Sequence, residues 1–147
     1  MFICRYKVEK AWIDHNQHMN VSYYQHVFQK ALYHYWEHLS VMEENSLNGM
    51  RLSMRDAHIR YISEALLGEL IEVHSFLHKL DKNGFSVYQE MKRGTDIISV
   101  FNQRVNFIYT EKSGAHLYNQ DVFEFLFEIV KKTKIKIPDW IDRSINI

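Results

Sequence analysis

The sequence predicts an α+β fold: a long helix packed on an antiparallel five-stranded sheet, with a C-terminal helix. Three observations carry this. Apolar residues recur at spacings of three and four from Val21 to Leu39, a helical face about five turns long. One strand-like stretch precedes that helix. Turn signals near Gly68, Gly84 and Gly94 divide the region after it into four consecutive strands. The chain has only five Gly and one Pro in 147 residues, so these breaks are informative. A helix of this length must bury its apolar stripe on one face of the sheet, which makes a two-layer sandwich.

The elements follow in order. Residues 2–8 alternate, with Phe2, Cys4, Tyr6 and Val8 on one side and Arg5 and Lys7 on the other, the period of a half-buried strand. Residues 11–20 have no clean period and read as a loop. Val21, Tyr24, Phe28, Ala31, Leu32, Tyr35 and Leu39 form the helical face, with Asn20 or Ser22 as cap. A loop ends at Asn48-Gly49. Ile59, Tyr61 and Ile62 belong to the next strand. Leu70, Phe76 and Leu80 are expected to share a face of the following one. Asp81-Lys82-Asn83-Gly84 is a hairpin signal, because Asn and Gly tolerate the positive φ of a primed turn. Phe85, Val87 and Met91 share a face of the next strand, and Arg93-Gly94-Thr95-Asp96 turns into a β-rich run from Ile97 to Tyr109. In 121–131 Asp121, Glu124, Glu128 and Lys131 recur at i, i+3, i+7 and i+10, a narrow polar stripe on an otherwise apolar helix, while Phe123, Phe125, Phe127 and Ile129 also alternate as in a strand; the charge order favours the helix. Acid at its start and Lys131-Lys132 at its end suit a helix dipole.

Length and composition set the class. A chain of 147 residues suits one domain, taken as 1–147, with a core that needs no disulfide or metal. Eighteen basic and eighteen acidic residues balance, which argues against nucleic acid as a partner. A single Cys, Cys4, forms no internal disulfide and suits a reducing, cytoplasmic compartment. No apolar run approaches the roughly 20 residues of a membrane span, and the first ten residues lack the apolar region of a signal peptide.

Five of the nine histidines lie between His15 and His38, and two of them fall in the densest set of reactive side chains, Trp12-Ile13-Asp14-His15-Asn16-Gln17-His18-Met19-Asn20. This stretch stands just before the long helix. A helix start presents unpaired N–H groups and a partial positive charge, which can bind an anion or polarise a carbonyl. A carboxylate beside it, Asp14, can act as general base on water or attack a carbonyl itself. His18 and Asn20 can orient it or the substrate. Asp14 and Asn16 are also ordinary turn formers and Asn20 an ordinary cap, so the residues alone leave both readings open.

The string WIDHNQHMNVSYY followed by a long helix resembles the start of hot-dog-fold acyl-CoA thioesterases of the 4-hydroxybenzoyl-CoA thioesterase-like superfamily, which often carry D-x-N-G-H-M-N or D-x-x-G-H-v-N here. Asp56-Ala57-His58-Ile59-Arg60-Tyr61, entering a strand, and the β-α-β-β-β-β order are also similar over roughly residues 2–110. The resemblance implies a hot-dog fold and an acyl-CoA thioester hydrolase that needs no metal and no cofactor. It implies Asp14 as the catalytic carboxylate, with His18 and Asn20 at the His and Asn positions of the motif. N–H groups around Asn20 and Val21 would polarise the thioester carbonyl. Gln17, Val21, Tyr24, Asp56, His58 and Arg60 are the expected substrate-binding residues. Gln17 departs from the family's Gly, whose role is close approach or positive φ. That departure favours a second reading, a non-catalytic acyl-CoA or acyl-carrier binding module. A hydratase or dehydratase on the same scaffold is a third.

Other patterns carry less. His34-Tyr35-Trp36-Glu37-His38 spells the H-x-x-E-H of some zinc hydrolases, but Tyr35 belongs to the buried face, and a solvated helix face explains the pair. Arg60, Lys92 and Arg93 can meet coenzyme A phosphates or be ordinary strand and turn charges. The apolar segment Val122–Val130 leads to the expectation of a homodimer or homotetramer.

Overall fold

The computed structural model describes residues 1–42, 50–109 and 120–141. Strand β1 (Phe2–Lys7) leads through a 3-10 turn at Lys10–Trp12 to helix α1 (Val21–Met42). Four strands follow: β2 (Met50–Tyr61), β3 (Leu70–Asp81), β4 (Gly84–Arg93) and β5 (Asp96–Tyr109). Helix α2 (Gln120–Lys132) and a 3-10 turn at Asp139–Ile141 close the described chain. All five strands pair antiparallel in the order β1-β3-β4-β5-β2. Strands β1 and β2 are therefore the edges, and α1 carries the chain from one to the other. This is the α+β sheet-and-helix architecture expected. The expected break at Asn48-Gly49 lies outside the described residues.

Helix α1 buries Tyr24, Phe28, Ala31, Leu32, Tyr35 and Leu39 as its spacing predicts, together with Val27 and Trp36. Val21 is the exception at 55% exposure, because the first helical residue borders an open cleft. The sheet's front face meets the helix with Ile71, Val73, Leu77, Phe85, Val87 and Met91. A chain of buried amides crosses this apolar layer. Gln89 Nε2 donates to the Phe28 carbonyl and to Ser75 Oγ, each at 3.0 Å. Gln103 Nε2 donates to Gln89 Oε1 (2.8 Å), and Gln29 Nε2 to Gln103 Oε1 (3.0 Å). Buried polar groups are costly unless paired, so this network holds α1 in one position on β3, β4 and β5. The start of α1 inherits that position.

Two strand-level expectations are corrected. Leu70, Phe76 and Leu80 do not share a face. Ile71, Val73, Ser75 and Leu77 make the buried front face of β3, and Leu70 is 71% exposed. Phe76 packs on the back with Tyr88. A slip in pairing between Leu77 and Lys79 then moves Leu80 to the front cluster. The period misleads because both faces of this strand are covered. The hairpin at 81–84 is real, since Asp81 pairs with Gly84, but it is not a primed turn: neither of its central residues, Lys82 and Asn83, has positive φ. Asp81 Oδ1 instead accepts from the N–H groups of Asn83 (2.7 Å) and Gly84 (3.2 Å), an Asx turn. Gly94 does take φ 61, as the first central residue of the β4–β5 turn.

Gly84 is required for space. A Cβ there would collide with the backbone of β5, at the Val105 carbonyl and at Asn106 Cα. Gly84→Ala is expected to destabilise the protein by about 3 kcal/mol or more, since backbone cannot step aside as a side chain can. A urea midpoint equal to the parent's would contradict this.

The 121–131 segment is helical, with Asp121 in its first turn and Lys131 and Lys132 in its last. Val122 and Leu126 are buried on the same core as Leu39 and Leu77. Part of its apolar face is thus covered within the chain, while Phe127 stays 47% exposed. Beyond α2 the chain crosses to the back of the sheet, where Ile135, Ile137, Trp140 and Ile141 cover Tyr88, Val100 and Phe76. No described helix is long and apolar enough to cross a membrane.

Candidate active site

The loop before α1 is a small closed hairpin. Ile13 and Met19 form an antiparallel bridge. The Asp14 carbonyl accepts from Gln17 N–H (3.1 Å), and the His18 carbonyl accepts from Asp14 N–H (3.3 Å). Closing so tight a loop requires one residue in the left-handed region. That residue is Gln17, with φ 65, the sole non-glycine with positive φ among the described residues. Gln17 supplies the conformation for which a Gly would be the easy choice, and its side chain is exposed.

Asp14 is half-exposed, and both its carboxylate oxygens are held. Asn16 N–H donates to Oδ1 (2.8 Å), and Asn20 Nδ2 donates to Oδ2 (2.9 Å). The Asn16 N–H first, and the Asn20 amide second, keep the Asp14 carboxyl below the usual aspartate range. Asn20 joins the carboxylate to the helix. Its Oδ1 caps α1 by accepting from Ser22 N–H (3.0 Å) and Ser22 Oγ–H (2.6 Å).

The N–H groups of the first turn differ in their use. Asn20 N–H donates to the Trp12 carbonyl (2.8 Å), so it does not supply the free donor expected of it. Ser22 N–H is capped, and Tyr23 N–H donates to the Asn20 carbonyl (3.0 Å). Val21 N–H has no hydrogen bond among the described residues. The first turn carries no acidic residue, so the positive end of the 22-residue helix is not neutralised within that turn.

A cleft of about 180 Å³ opens at this point, lined by His18, Val21, Tyr24, Tyr61, Ser63 and Glu64 among others. His18 Nδ1–H donates weakly to the Met19 carbonyl (3.4 Å), and Nε2 stands 3.7 Å from Glu64 Oε1. Tyr24 presents its ring edge-on to Tyr61, with centroids 5.3 Å apart. Its hydroxyl is occupied: it donates to the Ser63 carbonyl (3.1 Å) and accepts from Ala65 N–H (3.0 Å). Burial pushes the Tyr24 phenol upward, so it stays protonated. Tyr24 fixes the far wall of the cleft to α1.

The expected residues therefore divide. Asp14, Asn20 and Val21 form one linked unit, with His18 and Tyr24 in the adjoining cleft and Gln17 shaping the loop. Asp56, His58 and Arg60 are not brought to it. A bulge between Met54 and Asp56 turns these three to the back of the sheet. There His58 meets Trp140 edge-on (4.8 Å), Arg60 lies over the Trp140 ring (4.6 Å), and Asp56 is exposed. Lys92 pairs with Glu90 (3.6 Å) and Arg93 with Glu69 (3.1 Å). His34 accepts or donates a hydrogen bond at Tyr6 Oη (3.0 Å), and His38 stacks on Phe2 (4.8 Å), so the two histidines each pack over β1. Met19, Tyr61, Ile62, Ser63 and Glu64 are the wall residues that sequence reasoning missed as site residues. Ser63 and Glu64 follow a strand end without any period, and long-range contacts hold them here: the Tyr24 hydroxyl at the Ser63 carbonyl, and Arg93 Nη1 donating to the Glu64 carbonyl (2.6 Å).

The fold has close counterparts. A hypothetical protein of Staphylococcus aureus, SAV2348, whose structure is in complex with CoA, is 18% identical with a TM-score of 0.82, over 99% of this chain and 94% of that one. YbaW, a probable thioesterase of Escherichia coli, is 17% identical with a TM-score of 0.73, over 88% and 99%. The gentisyl-coenzyme A thioesterase BH1999 is 11% identical with a TM-score of 0.65, over 72% and 88%. No curated protein sequence matches the chain. The family model of the thioesterase-like superfamily matches residues 8–145, nearly the whole chain and all of the loop, α1 and the sheet beyond β1, and the protein belongs to that superfamily.

Proposed function

We propose that the protein hydrolyses an acyl-CoA thioester at the start of α1. The observation that carries this reading is the Asp14–Asn20–Val21 unit: an ionised carboxylate joined through one amide to a helix start whose first N–H is free. Family membership supports thioester chemistry. The CoA bound by the S. aureus protein supports coenzyme A as the carrier. The thioester carbonyl oxygen would accept from Val21 N–H, with the helix dipole stabilising the charge that develops there. Asp14 would attack the carbonyl carbon and expel the CoA thiolate as the C–S bond breaks, forming an anhydride that water cleaves to the acid and free Asp14; or it would take a proton from attacking water, with the same C–S bond breaking and the thiolate leaving as CoA thiol. Both routes need the carboxylate ionised. His18 would position the acyl group beside Tyr24 and Val21.

The loop's hydrogen bonds set a pH dependence. A carboxyl held below its usual value of about 3.9 stays ionised as pH falls through the ordinary aspartate range. The acid limb of kcat/KM is therefore expected below that value. Asn20→Ala removes one of the two donors and should move the limb upward, besides costing about 1 kcal/mol as a lost cap. A limb that stays in place would show that Asp14 is not the group whose ionisation is read.

A panel of acyl-CoAs with a thiol reagent tests the reaction. Release of free CoA is expected; protection against unfolding without release would indicate the binding module instead. Gln17 is the feature that favoured the binding module, and its own φ of 65 weakens that objection to catalysis. Assembly as a homodimer is proposed on further grounds. β2 is a 12-residue edge strand with Met54 and Tyr61 exposed, and long open edges invite a second copy. Light scattering that gives a monomer at micromolar concentration would refute this. The lone, buried Cys4 suits a reducing cytoplasm.

A further inference from the structure

A second cleft, of about 550 Å³, lies at the β1 edge of the molecule and shares no lining residue with the cleft at the start of α1. Its size falls in the range that encloses a nucleotide-sized ligand. Lys7, Lys10 and Lys30 stand around it, from the end of β1, from the turn that follows, and from the middle of α1. None of the three ammonium groups has a carboxylate partner among the described residues. Glu9 is the one carboxylate in the lining, which leaves an excess of two positive charges in a chain whose total is zero. Tyr6 and Trp12 flank it with rings already in use: Trp12 is 6% exposed and stacks on Tyr23, and His34 stacks on Tyr6. Lys30 lies over the Tyr6 ring at 5.6 Å, and Tyr6 is held by its hydrogen bond with His34 (3.0 Å).

Three exposed ammonium groups around one concave site, without carboxylate partners among the described residues, leave a place for anionic acceptors. Phosphate oxygens supply them, and the volume of the cleft accommodates the rest of a nucleotide. We infer that this cleft binds a phosphate-bearing nucleotide. Two sources share that chemistry: the nucleotide end of coenzyme A, and a separate nucleotide.

Titration calorimetry with ATP as probe tests the site without reference to thioester hydrolysis. Saturable binding is expected at low ionic strength. It should weaken as salt rises, because screening shortens the reach of the lysines. The triple variant Lys7→Ala/Lys10→Ala/Lys30→Ala should lose roughly tenfold or more in affinity. Lys82→Ala/Lys134→Ala, two exposed lysines elsewhere, should keep the parent affinity. Circular dichroism checks that each variant is folded. Displacement of ATP by CoA assigns the site to coenzyme A's own nucleotide, and retention assigns it to a separate one. Absence of saturable ATP binding, or equal affinity in the parent and the triple variant, would overturn the inference. So would an equal loss in the control pair.

Discussion

Asp14→Asn is expected to cut acyl-CoA hydrolysis by about three orders of magnitude or more, with folding almost unchanged. The magnitude follows from what the substitution removes. An amide neither attacks a carbonyl nor takes a proton from water, and losing a nucleophile or base of this kind typically costs 10²–10⁴-fold or more. Stability should hold because an amide oxygen still accepts from Asn16 N–H, the contact that shapes the turn. The second contact is the weaker point. Asn20 Nδ2 donates to Oδ2, and if the new NH₂ group takes that place, two donors face each other. The resulting loss is confined to a half-exposed loop, where water can replace the lost partner, and should be small. A folded Asp14→Asn variant with full activity would remove Asp14 from the mechanism.

Val21→Pro is the second large effect, and it separates the helix start from its side chains. Proline fits the first helical position, because the N–H it lacks has no partner within the helix. It also favours extended backbone in the residue before it, the conformation usual for a cap such as Asn20. The substitution therefore deletes one N–H and little else in the backbone. Removing a single oxyanion donor costs about 10²–10³-fold in kcat. That loss is expected here, with KM for a large acyl-CoA changed less than kcat. Val21→Ala serves as the companion, since it trims the cleft wall and keeps the N–H. If the two variants are equally active, Val21 N–H is not the donor.

The sequence made some of this visible and hid the rest, for physical reasons that differ by element. Helix α1 was legible because one side of it meets the sheet and the other meets water, so burial leaves a period of 3.6. β4 is covered on both faces, with Tyr88 buried on its back, but Phe85, Val87 and Met91 keep a strict alternation on its front, and that made it legible. β3 was not legible: α1 and α2 cover its front while the C-terminal tail covers its back. Its apolar residues stop alternating, and the pairing slip before Lys79 shifts Leu80 to the other side. The hairpin at Asp81–Gly84 was found from residues that suit a primed turn. The chain uses them otherwise: Asp81 as the acceptor, and Gly84 as the gap that lets β5 pass.

In the site, the loop was legible through its resemblance to thioesterases, and the cap through Asn20 itself. Which N–H stays free was not legible, since it depends on the Trp12 carbonyl taking that of Asn20. Asp56, His58 and Arg60 were expected near the loop because the segment Asp56–Tyr61 resembles the same family. One bulge turned them to the back of the sheet. Ser63 and Glu64 are held at the cleft by a Tyr24 hydroxyl 39 residues from Ser63 and by Arg93, contacts with no local signature.

A crystal structure with CoA soaked into the site bears most directly on the central claim. The account predicts the CoA sulfur at the start of α1, within roughly 3.5 Å of the position between Val21 N–H and the Asp14 carboxylate where a thioester carbon would react. A sulfur bound elsewhere, with Asp14 still facing only its own loop, would contradict it.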